Sequence, residues 1–224
     1  MIRPDPPAAP TTRAPVTREA IVGAALELLA EGGLEGVSFR RIATRLGVSA
    51  PTLYWHVDNK RQLMDLMAEA LMERTGSDRS GPRPGQPWWE WLRTDARQMF
   101  AALISTRDAP RVVAGNRPTP DSFAGIERTL GVLVEAGLTP GQAQQTLFAI
   151  GAYVIGSATE WQAEAERQSA RPVADQDALL ADALADRPVL LAAIAELMDR
   201  PDTSAFEYGL DLLVDGLRAR HSSS

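Results

Sequence analysis

The stretch from Ser38 to Val57, SFRRIATRLGVSAPTLYWHV, holds the residues whose types and spacing point to chemistry. Ala43, Gly47 and Val48 fall where a helix-turn-helix needs them: a small residue for close helix approach, a glycine for the turn, an apolar residue to pin the second helix. That second helix presents Ala50, Thr52, Tyr54, Trp55 and His56. Such a helix enters the major groove of DNA while its predecessor lies across the backbone. Arg40 would fork onto guanine O6 and N7, Thr52 would touch a thymine methyl, and Tyr54, His56 and Lys60 would hold phosphates. The spacing by itself suits a tight hairpin in a helical protein as well, with His56 as a packing residue. The run Tyr54-Trp55-His56 favours the first reading. Three bulky, polar-tipped side chains on so short a helix are costly to bury and useful against a sugar-phosphate backbone.

The rest of the chain offers little for catalysis. Its 224 residues include no cysteine and two histidines, His56 and His221. Disulfide scaffolds, thiolate metal sites and cysteine nucleophiles are excluded, and a histidine triad or multi-histidine zinc site has too few ligands. No metal or cofactor is expected. An enzyme would have to work through carboxylates such as Asp95 and Glu160 and would turn its ligand over. The net charge of −6 argues against a uniformly basic nucleic-acid binder, but the charge is uneven. Residues 1–61 carry eight Lys and Arg against six Asp and Glu, a balance of +2, and the remainder carries fifteen against twenty-three, a balance of −8. Within 38–61, Arg40, Arg41, Arg45, Lys60 and Arg61 face Asp58 alone. A small positive patch sits on a larger acidic body.

These residues are positioned by helices. Thr17 caps a helix to about Glu31, with Ile21, Ala24, Ala25, Leu28 and Leu29 on one face and Gly32-Gly33 at its end. Ser38 caps Phe39 to Leu46, stopped by Gly47, and Ser49 caps a third helix that begins Ala50-Pro51. Asn59 starts a fourth, with Gln62 in capping-box position and Leu63, Leu66, Met67, Ala70 and Leu71 on its face. The Gly-, Pro- and Ser-rich stretch 75–87 separates this region from further helices at about 88–106, 108–114, 120–136, 140–167, 176–198 (interrupted near Pro188) and 203–220. The fold class is all-α. The connector Gln168 to Asp175 and the first fifteen residues read as flexible, and the latter lack the apolar run of a signal peptide. The longest charge-free apolar stretch, Thr146 to Thr159, has 14 residues, short of the roughly 20 a membrane helix needs. A cytoplasmic protein with no membrane partner is expected.

RRIATRLGVSAPTLYWHVDNKRQLMDLM closely resembles the DNA-binding head of the TetR family, above all in PTLYWHV followed by NKR. The match is specific over about 17–74. LISTRDAPRVVAGNRPT, then AGLTP, then FEYGLDLLVDGLRA extend it over nearly the whole chain after residue 15, toward the tetracycline-repressor-like C-terminal subfamily. The resemblance implies a homodimeric transcriptional repressor that binds a palindromic operator in double-stranded DNA and is released by a small-molecule effector. It implies a tail at 1–15, a helix-turn-helix head at 16–75 and a ligand-binding and dimerisation domain at 76–224. Arg40, Pro51, Thr52, Tyr54, Trp55, His56 and Lys60 match the family's DNA contacts. Ala50 stands where a base-reading glutamine is found, and alanine cannot make that bidentate bond to adenine.

Members of the subfamily that hold a drug–magnesium chelate use a histidine on the metal and an acidic residue that reaches it through water. The matching positions here are Val113 and Glu160, while Gly76 and Asp95 replace a drug-contacting histidine and asparagine; Arg117 and Pro118 remain. Valine has no lone pair for a cation, so the effector is expected to be an organic molecule other than tetracycline–magnesium. The expected wall is Asp95, Met99, Val113, Asn116, Arg117, Ile126, Thr129, Leu147 and Gly151, mostly apolar with a few convergent polar groups. Met99, Val113, Ile126 and Leu147 suit a plain core equally well. Trp88, Trp89 and Trp91 read as packing, with Trp91 at the pocket edge as the other reading.

The helix at 140–167 is apolar along Ala143, Leu147, Ile150, Val154, Ala158 and Trp161, and again at Phe148 and Ile155, so it must be buried on two sides. Phe206, Leu210, Leu213 and Leu217 recur at spacings of four, three and four, and Gly151, Gly156, Gly209 and Gly216 permit close approach. A four-helix interface with a second copy is expected from these two helices. An activator of the same fold, and a small-molecule carrier with a vestigial head, are the remaining alternatives beside the enzyme.

Overall fold

The computed structural model describes residues 16–74, 81–169, 184, 186–198 and 203–221. Among these, every regular element is a helix: α1 (Arg18–Gly32), α2 (Phe39–Leu46), α3 (Ala50–Leu53), α4 (Lys60–Glu73), α5 (Trp88–Ser105), α6 (Ala109–Val113), α7 (Phe123–Glu135), α8 (Pro140–Ser169), α9 (Pro188–Met198) and α10 (Ser204–His221), with 3-10 turns at Leu34–Gly36 and Pro120–Ser122. The expected tail, the helix ahead of Pro188 apart from Leu184, Asp186 and Arg187, and all of the connector beyond Ser169 lie outside the described residues. The connector's first two residues, Gln168 and Ser169, continue α8.

The helix ends follow local chemistry. The Thr17 and Ser38 hydroxyls accept from the amides of Ala20 and Arg41, and the Asn59 side chain accepts from Gln62. Gly47 takes the left-handed conformation at φ 67, ψ 33, and the Val48 amide returns to the Ala43 carbonyl at 3.0 Å. Two expectations change in detail. Gln62 accepts from the amide of Asp58, not of Asn59, so no true capping box forms there. Ser49 makes no capping bond, and its hydroxyl lies 2.8 Å from that of Thr52. A reciprocal box forms instead at α8, where Thr139 and Gln142 each accept from the other's amide.

One contiguous core runs from the head into the body. Ile21, Leu29, Ile42, Leu53, Val57, Leu63 and Met67 join Leu92, Phe100, Leu103, Val112, Val154 and Leu210 in a single buried cluster. Helix α4 makes this continuity possible, since it packs against α1 on one side and against α5 and α6 on the other. Helices α5, α8 and α10 pack mutually to form the body. The rings of Phe100 and Phe206 stack between α5 and α10 at 3.9 Å. Outside them, Arg93 pairs with Asp211 and Asp215, and Arg97 with Glu207. A smaller cluster of Leu133, Leu138 and Ala143 closes α7 onto α8.

The row expected to face a second copy is directed inward. Phe206 and Leu210 are buried in the chain's own core, and Leu213 and Leu217 pack half-buried against it. A β-carbon on Gly209 would collide with the Tyr153 phenol, whose hydroxyl donates to the carbonyls of Ala205 and Phe206. That glycine serves an intrachain contact. The 4-3-4 spacing identifies a buried helix face, and it says nothing about which chain covers it.

Candidate DNA-binding head and effector cavity

Helix α3 is short because Pro51 seats its first turn and the helix ends at Leu53, with a further turn through His56. Leu53 and Val57 are fully buried in the core shared with α1 and α2, and α3 packs against α2. Their burial forces the intervening side chains outward: Tyr54 is 52% and Trp55 86% exposed, far more than a packing role allows. Tyr54 stacks on Phe39 at 4.8 Å, which braces the end of α3 on α2 while about half of the side chain stays exposed. Pro51 is exposed, and Ala50, Thr52 and His56 are half-buried on the same segment.

The basic patch sorts itself into structural and available charges. Arg41 donates to the Gly36 carbonyl at 2.8 Å, Arg45 bridges Glu27 and Glu31 on α1, and Arg61 donates to the Gly115 carbonyl and pairs with Asp65. Among the described residues, Arg40 and Lys60 are exposed and take part in no ion pair. The sequence could not make this distinction, because it depends on which carboxylates and carbonyls the fold brings near.

Two contacts tie the head to the body. The first is at the turn after α1, where the Asp108 carboxylate accepts from the Leu34 amide at 2.8 Å. Asp108 has φ 59, and its own amide donates to Gln162 of α8. Burial works to raise the Asp108 pKa, but the Leu34 amide and then Arg111 and Arg107 outweigh it, holding the carboxyl below its ordinary value.

The second is a ladder along α4. Arg61 reaches the carbonyl of Gly115, the Asn116 amide group donates to the carbonyl of Met64, the Arg117 amide donates to Asp65, and the Thr119 hydroxyl donates to Glu69. The partners advance together along both segments, so residues 115–119 are zipped to α4.

Beside this ladder lies a cavity of about 260 Å³ lined by Met99, Val113, Asn116, Arg117 and Ile126 of the expected wall. Asp65, Ala68, Glu69 and Met72 of α4 complete it, with Pro118 and Ser122. Sequence reasoning missed the α4 residues because acidic positions at i, i+4 on a helix read as a solvated face. Asp95, Thr129, Leu147 and Gly151 do not line it. Thr129 returns its hydroxyl to the Gly125 carbonyl, and Leu147 packs between the two core clusters. Trp91 is buried and also stays off the wall. Glu160 lies elsewhere, on a separate cavity of about 410 Å³ with Phe100, Tyr153, Trp161 and Phe206. The carboxylates of Asp95 and Glu160 therefore share no cavity.

Residues 21–67 match the family described as bacterial regulatory proteins, tetR family, and residues 81–221 match the tetracyclin repressor-like C-terminal domain. The tetracycline repressor protein class C of Escherichia coli is 36% identical over 200 residues, covering 89% of this chain and 90% of that protein. Among solved structures, a variant TetR from Acinetobacter baumannii AYE in complex with minocycline superposes with a TM-score of 0.73 at 36% identity, covering 93% of this chain and 96% of that one. ActR of Streptomyces coelicolor in complex with actinorhodin does so with a TM-score of 0.74 at 27% identity, covering 93% and 98%.

Proposed function

Because this chain belongs to the TetR family of transcriptional regulators, we propose that it works as a homodimeric repressor released from a palindromic operator by a small organic effector. One observation carries this reading: the cavity's wall is shared between the body and α4, the helix that leads directly out of the recognition segment. An occupant that displaces residues 115–119 pulls on α4 through the ladder and so re-aims α3. In a two-fold dimer the recognition segments sit about 34–36 Å apart, one turn of DNA, and a change in their separation breaks the fit to successive major grooves. Moving the population from 1:99 to 99:1 requires about 5.5 kcal/mol of differential affinity between the two states.

In this reading Arg40, Ala50, Pro51, Thr52, Tyr54, Trp55, His56 and Lys60 face DNA. Ala50 shifts the operator at the base pair that glutamine would read. Val113 supports an effector other than tetracycline–magnesium, since it stands at the position matching the metal-binding histidine and offers no lone pair. The bound actinorhodin of ActR indicates that this architecture accommodates other drug-sized molecules. A second copy is supported by apolar surface left outside on the two long body helices. Phe148, Tyr208 and Leu212 are 69%, 66% and 60% exposed, beside the exposed Ala149, Ala152 and Gly156 of α8 and Gly216 of α10. No helix among the described residues is long and apolar enough to cross a membrane, and a DNA-bound regulator would work in the cytoplasm.

The test is selection of the purified protein on a random duplex library at near-physiological salt. Enrichment of a palindrome whose half-sites lie one turn apart supports the proposal. No enriched sequence from folded, dimeric protein overturns it. Deletion of the gene separates the two modes of regulation, since a repressor's loss raises target transcription and an activator's lowers it.

A further inference from the structure

Resting on the effector-cavity reading above, we infer that the cavity beside α4 takes a cationic organic molecule whose protonated nitrogen pairs with Glu69. The Glu69 carboxylate is half satisfied. One oxygen accepts from the Thr119 hydroxyl at 2.6 Å, whereas Oε1 is shielded from solvent and has no hydrogen-bond partner. A carboxylate oxygen withdrawn from water with no donor is unfavourable unless a donor arrives, and a charged donor satisfies it best.

Glu69 also borders a neighbouring cavity that carries Arg18 and Arg74 beside Glu19, Glu73 and Asp121, but the wall beside the ladder is acidic. Asp65 lies one turn earlier on α4 and on the same wall, but its Oδ1 is already engaged by both Arg61 and the Arg117 amide, and none of its side-chain oxygens is buried without a partner. Arg117 is the sole basic lining residue, and it is exposed. Met72, Met99, Val113 and Ile126 supply an apolar bed for the body of a two-ring molecule. An anion would meet two carboxylates there, and a neutral apolar occupant would leave Oε1 unmet.

The position also gives the contact a consequence. Glu69 is the far rung of the ladder that joins α4 to residues 115–119. A cation that draws the carboxylate toward itself competes with Thr119, so recognition of charge and displacement of α4 are one event. Glu69 is a specificity-determining residue on the moving element itself.

Three probes of one shape decide the matter: 1-naphthylmethylamine, 1-naphthalenemethanol and 1-naphthoate, titrated by naphthalene fluorescence into the full chain. The amine is expected to bind about tenfold tighter than the alcohol, with the acid weakest. Glu69→Gln keeps the shape and the acceptor for Thr119, and it should erase the amine's advantage while leaving the alcohol unchanged. Asp65→Asn should retain the advantage. Equal binding of amine and alcohol to the unaltered protein, or a preference that survives Glu69→Gln, overturns the inference and leaves the cavity standing. Probes that do not bind, or that bind undiminished after Val113→Trp fills the space, overturn the cavity reading and the inference with it. Should Glu69→Gln fail to fold, the amine–alcohol comparison on the unaltered protein decides alone.

Discussion

Arg40 and Lys60 are the cations of the patch at 38–61 that, among the described residues, neither a carboxylate nor a carbonyl holds, and in the proposed reading they divide the work of DNA binding differently. Arg40 lies on α2 within reach of a base edge if its planar fork meets guanine, whereas Lys60 is a point charge suited to phosphate. Arg40→Ala is expected to cost about 1–3 kcal/mol of operator affinity and to relax sequence preference at one base pair. A binding titration over single-base operator variants checks this, and a loss uniform across all variants would make Arg40 a phosphate contact. At the other end of the head, Gly33 occupies φ 65, ψ −170, a region open essentially to glycine. A β-carbon there would also stand 2.5 Å from the Asp108 carboxylate. Gly33→Ala should therefore lower stability by about 1–3 kcal/mol, read from denaturant unfolding.

Asp108 gives a pH-dependent case at the same scale. Its carboxyl is held below the ordinary value, against the pull of burial, by the Leu34 amide and the nearby arginines. A group lowered in the folded state stabilises the fold above its unfolded pKa of about 3.9 and loses that contribution as pH falls through the lowered value. Asp108→Asn, which tolerates the left-handed backbone, should destabilise the protein by about 1–2 kcal/mol at neutral pH. Its deficit should shrink as pH falls through the lowered folded-state value, where the native carboxylate becomes protonated as well. Melting curves of both proteins across that range test the sign. A deficit independent of pH would mean that the aspartate acts through shape alone.

Among the elements, α4 carries the most argument. Its N-terminus is capped by Asn59 beside the recognition segment, its middle is zipped to residues 115–119, and its side closes the cavity. Asn116 contributes to two of these roles, since it lines the cavity and donates to the carbonyls of Met64 and Val112. Asn116→Ala should cost about 1–2 kcal/mol of stability. It should also reduce the ratio of operator affinities measured without and with a releasing ligand, because α4 then follows the 115–119 segment less closely. A variant that loses stability yet keeps the full ratio would remove Asn116 from the coupling. The start of α4 was legible in the sequence from the Asn59 cap and the apolar spacing that follows it. Its acidic face was not, because the i, i+4 pair Asp65 and Glu69 has the pattern of a solvated surface until α5, α6 and the 115–119 segment are placed against it.

At the scale of the molecule, the chain leaves an apolar band outside on α8 and α10. Phe148, Tyr208 and Leu212 are exposed there, with exposed alanines and glycines along the same two helices. If two copies meet there, Leu212→Asp places a charge in a surface that should be dry, and sedimentation should report a species of 24.2 kDa in place of twice that mass. Operator binding should fall with it, since one head spans one half-site. A variant that sediments as a dimer would move the interface elsewhere.

The all-helical class, the helix-turn-helix and the members of the head that must lie outside are written in the order of residues along the chain. Those properties are local: a cap, a left-handed glycine and a periodic apolar row act over a few residues and need no partner from afar. The run Tyr54-Trp55-His56 already implied an outward-facing segment, because three bulky, polar-tipped side chains on so short a helix are costly to bury. The tertiary structure alone decided which arginines are spent on carbonyls and carboxylates, which glycine faces Tyr153, and which of the expected pocket residues share a wall. It also turned Phe206 and Leu210 inward and left Tyr208 and Leu212 outside. Each of those outcomes depends on what a distant segment brings into contact, and periodicity records that a face is covered without recording by what.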